Sequence, residues 1–259
     1  MPSAYLRRLL AHPLTASLDL DSPEVTRRRK QIIASKPFLK AIYDEWYRML
    51  ARELPSGEGS ILELGSGAGY CSKFIPGLVT SELFVCPGIR IVADALRLPF
   101  VKNSLRAIVM TDVLHHIPQV RLFFAGASRC LRPGGKILMI EPWVTPWSRF
   151  VYARIHHEPF CPGATTWEFN SNGPLSDANT ALPWIIFERD RNEFENEFPE
   201  FSIETIRPFM PFRYIVSGGV GMRSLMPEFT HSAWALLERA LEFDMHRLGM
   251  FAFVELRKN

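Results

Sequence analysis

Apolar residues recur at helical spacing near the start of this chain and change to short, dense runs after residue 59. From Phe38 onward, steps of three and four residues separate the apolar positions, and that spacing gives one buried stripe on a helix. The stripe consists of Phe38, Leu39, Ile42, Trp46, Met49 and Leu50. We predict that residues 1–59 are helical and that the last helix of this zone ends near Pro55 and Gly57.

The first dense apolar run leads directly into a glycine-rich turn. Residues 61–64 are typical of a strand buried on both faces of a parallel sheet. Gly65, Gly67 and Gly69 follow, and their missing Cβ atoms permit a tight turn in which a ligand can lie against the backbone. Dinucleotide-binding folds use a related G-x-G-x-x-G turn, where a helix N-terminus receives a pyrophosphate. The spacing here is G-x-G-x-G, and Tyr70 stands where that fingerprint needs Gly or Ala.

The rest of the chain predicts a helix, a long insertion and two closing strands. The helix covers residues 121–131, and its apolar side consists of Phe123, Phe124, Ala127 and Leu131. Residues 142–199 are rich in proline and aromatic residues, and a compact domain rarely carries so long an insertion without a use for it. Its aromatic residues can line a substrate pocket or form the core of a cap. Residues 202–209 and 250–256 are predicted strands, with a helix over residues 233–243 between them.

Composition and charge narrow the class of protein. An apolar content of 47% and a charged content of 22% are ordinary for a globular protein, and 259 residues suffice for one α/β domain. The net charge of +3 is too small to indicate a nucleic-acid partner. The basic run at residues 27–30 is expected to be the solvated start of a helix.

Location is predicted from the cysteines and from the lack of targeting patterns. Four scattered cysteines without a C-x-x-C pair indicate reduced thiols rather than disulfides or a zinc site. We find no signal-peptide pattern and no continuous apolar stretch of about 18 residues. We therefore expect a cytoplasmic protein, with peripheral contact to a membrane left open.

Five segments between residues 60 and 141 resemble, in the right order, the motifs of the class I S-adenosylmethionine-dependent methyltransferases of the type-11 group. The glycine turn preceded by Glu63 resembles the first motif, and residues 79–82 resemble the end of the second strand. Residues 91–100 resemble the third-strand signature, residues 107–118 the fourth strand and its loop, and residues 131–141 the L-R-P-G-G turn with the fifth strand.

The resemblance implies a fold and a division of the chain. The fold is a Rossmann-like, doubly wound and mostly parallel seven-stranded α/β sheet whose last strand is antiparallel. One domain would comprise an N-terminal helical lid at residues 1–59, a cofactor-binding core at 60–141, an insertion after strand 5 at 142–199, and closing strands with a helix at 200–259.

The resemblance also implies a cofactor, S-adenosylmethionine, and residues that bind it. Glu63 and the glycine turn would meet its methionine end, whose ammonium requires carboxylate and carbonyl partners. Glu82 would accept hydrogen bonds from the ribose hydroxyls, Asp94 would accept one from the adenine amino group, and the backbone of Ala95 would meet the ring. The complete set is Glu63, Gly65, Ser66, Gly67, Gly69, Glu82, Asp94, Ala95 and Asp112.

Alternatives remain open for three of these carboxylates. Glu63 can instead cap the amide groups of the glycine turn, and Asp112 can cap the loop after the fourth strand rather than face the methionine end or the substrate. Residues 83–90 are too short, and too interrupted by Pro87, for the helix that the family usually has there. Glu82 can therefore face elsewhere.

His115 and His116 are the candidate catalytic residues. Methyl transfer from a sulfonium requires alignment and, for some acceptors, removal of a proton, and histidine has a suitable pKa for that task. The alternative is that both histidines stabilise the loop. No metal site is expected, because the neighbouring His156 and His157, which precede Glu158, would point apart.

We therefore expect a methyltransferase that acts on a small-molecule acceptor such as a sugar, a lipid-linked intermediate or a secondary metabolite. Residues 111–114 lack the Asn-Pro-Pro-Tyr-like motif of the members that methylate base or amide nitrogen. One alternative is a non-catalytic protein that binds adenosylmethionine. A nicotinamide-dependent oxidoreductase is another, against which Tyr70 and the lack of a Tyr-x-x-x-Lys motif after the fourth strand argue.

Overall fold

The structure is a computed structural model that describes residues 12–13, 23–67, 69–155, 158–171, 173 and 177–259. Most of residues 1–22 of the predicted N-terminal zone lie outside this part. His156 and His157, whose adjacency argued against a metal site, lie outside it too. Among the described residues, no helix has both the length and the apolar character needed to cross a bilayer.

Seven strands in the described part of the chain form one sheet. They are β1 Ser60–Leu64, β2 Val79–Glu82, β3 Ile91–Val92, β4 Leu105–Thr111, β5 Leu131–Pro142, β6 Phe201–Phe209 and β7 Phe251–Lys258. Their order across the sheet is β3-β2-β1-β4-β5-β7-β6. The pairs from β3 to β5 are parallel, whereas β7 is antiparallel to both β5 and β6. The predicted fold class is confirmed, including the antiparallel last strand.

The central strands alternate their side chains between two apolar layers. On β4, Ile108 and Met110 pack on one side of the sheet, while Ala107 and Val109 pack on the other. Each face must therefore be covered by helices, as in other parallel sheets. The reversal of strand order lies between β1 and β4, which is where open α/β sheets bind ligands.

Helices cover both faces of the sheet. They are α1 Pro23–Ser35, α2 Pro37–Arg52, α3 Val120–Cys130, α4 Pro146–Arg154, α5 Leu182–Trp184, α6 Arg191–Glu197, α7 Arg213–Ser217, α8 His231–Ala240 and α9 Met245–Leu248, with a π-helical turn at Ile185–Arg189. The predicted stripe on α2 is buried except for Met49, which is half-buried. Helix α3 has the predicted apolar side, but Leu131 begins β5 instead of ending the helix.

The insertion between β5 and β6 adds an apolar cap to one face of the sheet. Trp167, Phe187 and Phe194 are fully buried in the same core as α3. Of the two interpretations of its aromatic residues, the structure supports the core of a cap for these three. Trp147 is only half-buried, and its indole N–H donates to the carbonyl of Pro211 at 2.9 Å.

Short turns replace helices on either side of β2. Among the described residues between β1 and β2, the only helical segment is a 3₁₀ turn at Cys71–Lys73, because Pro76 and Gly77 end any continuation. Residues 83–90 contain only turns, as their length predicted. A long helix N-terminus directed at the glycine turn is therefore not found in this described part of the chain.

Candidate functional site

A cavity of about 430 Å³ lies at the carboxyl ends of β1, β2 and β4, beneath α1 and α2. Open α/β sheets bind their ligands in this position. Eight residues that the sequence suggested for the site line it: Glu63, Gly65, Gly69, Glu82, Asp94, Ala95, Asp112 and His116. Ser66, Gly67 and His115 are not part of its lining.

The glycine turn cannot accept side chains at the positions that line the cavity. Gly65 has a φ of +68°, and a Cβ there would lie 2.6 Å from Cγ2 of Val113. A Cβ at Gly69 would collide with the hydroxyl oxygen of Tyr47. Glycine is thus required by the left-handed backbone at Gly65 and by close packing at Gly69, and the turn leaves bare backbone at the cavity wall.

Ser66 and Gly67 hold the turn against the end of β2. The Ser66 hydroxyl accepts a hydrogen bond from the backbone N–H of Ser81 at 3.0 Å and donates to the carbonyl of Glu63 at 3.3 Å. The N–H of Gly67 donates to Oε1 of Glu82 at 2.8 Å. A Cβ at Gly67 would collide with that carboxylate and with the methyl group of Thr26. The bare position of Gly67 therefore leaves room for Glu82 and α1.

Glu82 and Asp94 present carboxylates at the ends of β2 and β3. The second oxygen of Glu82 accepts from the backbone N–H of Leu83 at 3.1 Å, and burial raises the pKa of its carboxyl above the usual value. Glu82 lines the cavity, so it does not face elsewhere. Asp94 is exposed, and its Oδ1 accepts from the N–H of Leu96 at 2.9 Å, which caps the short helix at Ala95–Arg97.

Glu63 is a buried carboxyl group at the floor of the turn. Only 4% of the residue is exposed. Burial raises the pKa of Glu63 to about 7, since the hydrogen bond from Ser66 only partly offsets the loss of water and the charge of Glu82 adds to it. A cation bound beside Glu63 would stabilise the ionised carboxylate in place of the water that burial removes.

Asp112 lies in the cavity with a strained backbone. Its φ is +63°, which is uncommon for a residue with a side chain, and its N–H donates to the carbonyl of Ile140 at 2.8 Å. Burial raises the pKa of Asp112 to about 7, although the neighbouring His115 acts in the opposite direction.

Glu141 organises the loop after β4 from the end of β5. Its fully buried carboxylate accepts hydrogen bonds from the backbone N–H groups of Val113 and Leu114, each at 2.8 Å, and its Oε2 is 2.8 Å from Nδ1 of His115. A carboxylate can only accept in this position, so Nδ1 of His115 carries a hydrogen. Sequence reasoning did not assign Glu141 to the site, although a charged residue directly after a buried strand is a signal for one.

Glu158 approaches both histidines from the insertion. Its carboxylate oxygens are 3.4 Å from Nε2 of His115 and 3.8 Å from Nε2 of His116, whose rings lie 4.2 Å apart. Burial opposes protonation of His115, yet the carboxylates of Glu141, Glu158 and Asp112 outweigh it and raise its pKa well above the usual value. Burial and the neighbouring His115 lower the pKa of His116 to about 3.

The two histidines therefore differ in what they can do. His115 is completely buried and fixed to Glu141, whereas His116 lines the cavity and donates from Nδ1 to the carbonyl of Asp177 at 3.2 Å. A pKa near 3 makes His116 a weak base at neutral pH. Their catalytic role stays a prediction.

Helices α1 and α2 contribute four residues to the cavity, of which sequence reasoning missed Thr26 and Arg29. Thr26 and Arg29 of α1 and Tyr43 and Tyr47 of α2 line the cavity. The expectation that the basic run is solvated is wrong for Arg29, which is half-buried there. Its guanidinium favours the charged forms of Glu82 and Asp112. Helical periodicity could have suggested a cavity-facing position within α1 but not which charge would occupy it.

Comparisons with known proteins agree with the family resemblance. Residues 62–139 match the type-11 family model described as a methyltransferase domain. The resemblance predicted from the sequence is confirmed over that segment. The comparison with curated proteins finds no match.

Three solved structures are similar to this chain in fold. The geranyl diphosphate C-methyltransferase of Streptomyces coelicolor A3(2) is 15% identical, with 96% of this chain and 91% of that chain covered and a TM-score of 0.49. The YcgJ protein of Bacillus subtilis is 13% identical, with 83% and 98% covered and a TM-score of 0.49. An S-adenosylmethionine-dependent methyltransferase of Mesorhizobium loti is 18% identical, with 81% and 96% covered and a TM-score of 0.46. Likeness at this level says nothing of this chain's ligand or reaction.

Proposed function

We propose that this protein binds S-adenosylmethionine in the cavity at the strand ends and transfers its methyl group to a small-molecule acceptor. The observation that carries the proposal is the convergence of the glycine turn and the carboxylates of Glu63, Glu82, Asp94 and Asp112 on one cavity at the switch point of the sheet. These residues come from four separate segments of the chain, and all four lie at or just after strand ends within the matched methyltransferase segment.

The charges around the cavity suit a ligand with a cationic end and no phosphate. Glu63 and the glycine backbone would hold the methionine ammonium, and Arg29 would pair with the methionine carboxylate. A pyrophosphate would instead require the N-terminus of a long helix beyond the turn, and the described residues offer only Cys71–Lys73 there. This favours adenosylmethionine over a nicotinamide dinucleotide.

The adenosine half would occupy the side of the cavity formed by β2 and β3. Glu82 would accept from both ribose hydroxyls, at the cost of exchanging its hydrogen bonds with the turn. Asp94 has a second carboxylate oxygen besides the one that caps Ala95–Arg97, and that oxygen would accept from the adenine amino group. Ala95 and Leu96 would provide an apolar wall for the ring.

The acceptor would enter between the lid and the insertion. Tyr43 of α2, His116 and Glu158 line that part of the cavity, together with Ser171. A group in this position can exclude water from the sulfonium and orient a nucleophile in line with the methyl group. The volume of about 430 Å³ must be shared with the cofactor, so the acceptor is a small molecule or the end of a larger one.

The four cysteines are free thiols, which accords with the reduced cytoplasm.

Two measurements test the proposal. Calorimetric titration compares S-adenosylmethionine and S-adenosylhomocysteine with NAD and NADP, and we expect binding of the first pair only. A metabolite extract incubated with methyl-labelled cofactor then shows which compound gains label. Binding of NAD in place of adenosylmethionine would refute the cofactor, while tight binding without any labelled product from broad extracts would favour the non-catalytic alternative.

A further inference from the structure

Three side chains that can bind a metal ion converge at the floor of the cavity. One ring nitrogen of His115, one ring nitrogen of His116 and a carboxylate oxygen of Glu158 all lie within 4.8 Å of one another. Nε2 of His115 is completely buried and has no hydrogen-bond partner among the described residues, although the carboxylate of Glu158 faces it at 3.4 Å. A buried nitrogen without a hydrogen bond that faces a carboxylate is costly unless a cation or a proton lies between them.

The outer partners of both rings fix which nitrogen carries hydrogen. Nδ1 of His115 faces the carboxylate of Glu141 at 2.8 Å, and Nδ1 of His116 faces the carbonyl of Asp177 at 3.2 Å. Both partners only accept, so each Nδ1 donates. Nε2 of His116 then presents its lone pair, and a metal ion would displace the proton from Nε2 of His115 to use that nitrogen as well. Histidines that bind metal ions in proteins are oriented in this way by a carboxylate or carbonyl behind the ring.

The spacing of His115, His116 and Glu158 suits one small cation. Zinc–nitrogen and zinc–oxygen bonds of about 2.0–2.2 Å place neighbouring tetrahedral ligands roughly 3.3–3.6 Å apart. Oε2 of Glu158 is 3.4 Å from Nε2 of His115 and Oε1 is 3.8 Å from Nε2 of His116, so small side-chain shifts would bring one oxygen and both nitrogens onto one ion. Asp112 adds a further carboxylate oxygen 4.0 Å from Nε2 of His115.

We propose that His115, His116 and Glu158 form a binding site for one divalent transition-metal ion, with Zn²⁺ as its best probe. Two imidazoles and a carboxylate suit zinc and its first-row neighbours better than magnesium or calcium, which prefer oxygen ligands. Three protein ligands leave a fourth position for water or an acceptor oxygen. That position faces the cavity, because His116, Glu158 and Asp112 all line it.

The proposal goes beyond methyl transfer and does not depend on it. The proposed metal ligands lie after β4 and in the insertion, whereas the proposed cofactor contacts other than Asp112 lie on the glycine turn and at the ends of β2 and β3. A metal ion bound here would offer the acceptor an electrophilic anchor beside the cofactor. It also explains why Glu141, at the end of β5, is fully buried behind His115.

The test uses the full chain without an affinity tag, after treatment with a chelator. Titration calorimetry with ZnCl₂ measures affinity and stoichiometry, and the absorption spectrum of the Co²⁺-loaded protein reports nitrogen and oxygen ligation. We expect one ion per chain. His116→Asn and Glu158→Gln should each weaken Zn²⁺ binding at least tenfold, with melting curves to establish that each variant is folded.

A control variant separates this site from adventitious histidines. His246→Asn removes an exposed histidine 3.5 Å from Asp244 and should leave Zn²⁺ affinity unchanged. Absence of Zn²⁺ binding by the wild-type protein, or unchanged binding by folded His116→Asn, would overturn the metal site. Adenosylmethionine titrated in parallel would still bind in that case, whereas failure of the proposed function would appear as loss of adenosylmethionine binding alone.

Discussion

Lowering the pH from 8 to 6 should weaken the binding of S-adenosylmethionine about tenfold, because Glu63 takes up a proton over this interval in the free protein. Burial holds the pKa of Glu63 at about 7. An ammonium group bound beside the carboxylate would lower that pKa, so the complex contains ionised Glu63 while the free protein at pH 6 is mostly protonated. The sign follows directly: affinity is fully present above pH 7 and is lost as the pH falls below it.

The magnitude follows from the fraction of protein that must lose a proton. With a pKa of about 7, roughly one molecule in eleven is ionised at pH 6, which costs about 1.4 kcal/mol of binding free energy. Binding at pH 7 should release about half a proton. The same pKa shift has the opposite effect on folding stability, which is higher at low pH. A carboxyl group whose pKa rises on folding stabilises the protein below pH 4.5, and this contribution is lost between about pH 4.5 and 7.

The assay is titration calorimetry at pH 6, 7 and 8 in two buffers with different ionisation enthalpies. Asp112 titrates in the same range, so the informative quantity is the difference between the wild-type protein and Glu63→Gln. The variant should bind more weakly at pH 8, show a smaller loss of affinity at pH 6, and melt at a higher temperature at pH 8. Equal pH slopes for the two proteins would refute the reasoning, since Glu63 would then not meet the cationic end of the ligand.

Three further predictions concern residues that hold the site together. Glu141→Leu should lower the free energy of unfolding by about 3–6 kcal/mol in urea titration, because two backbone N–H groups and His115 lose their buried acceptor, while Glu141→Gln should cost less. A loss no larger than that of Glu255→Leu, whose carboxylate pairs with Lys136 at 2.6 Å, would contradict this prediction. Asp94→Ala should weaken cofactor binding, measured by calorimetry, by about 1–3 kcal/mol. It should also lower the free energy of unfolding by about 1 kcal/mol, because the N–H of Leu96 loses its capping acceptor. Unaltered affinity would reject the adenine contact. Gly67→Ala should abolish measurable cofactor binding, because its Cβ displaces Glu82. The control Gly126→Ala in α3, where the new Cβ would lie no closer than 3.8 Å to Leu98, should bind normally and melt at a slightly higher temperature. Normal binding by Gly67→Ala would show that Glu82 need not stay in place.

The cofactor side of the site was largely predictable because its signals are local. A dense apolar run, three glycines and an acidic residue at each strand end report a buried strand followed by a ligand-facing turn wherever they occur together. Glu63, Glu82, Asp94 and Asp112 line one cavity, and their contacts with a cofactor stay a prediction. The role of Gly67 was predicted less well, since the carboxylate of Glu82 is folded back onto it from another strand.

The floor of the site was not predictable in the same way. His115 and His116 were recognised as candidates, but their partners come from β5 and the insertion. Glu158 stands beside residues whose adjacency argued against a metal site, and the structure joins it to a different pair of histidines. Arg29 belongs to a run of four basic residues that is indistinguishable by composition from a solvated surface.

The sequence by itself determined the α/β class, the buried central strands, the glycine turn and the strand ends at which the carboxylates of the cavity appear. These properties depend on residues that are only a few positions apart. Their spacing determines which faces of an element are apolar and where the backbone must turn. Only the tertiary structure decided which distant side chains meet: Glu141 behind His115, Glu158 in front of it, and Arg29 over the cavity. Hydrophobic periodicity specifies that a face is buried but not against what, and the contacts that tune charge in the site are made between elements rather than within them.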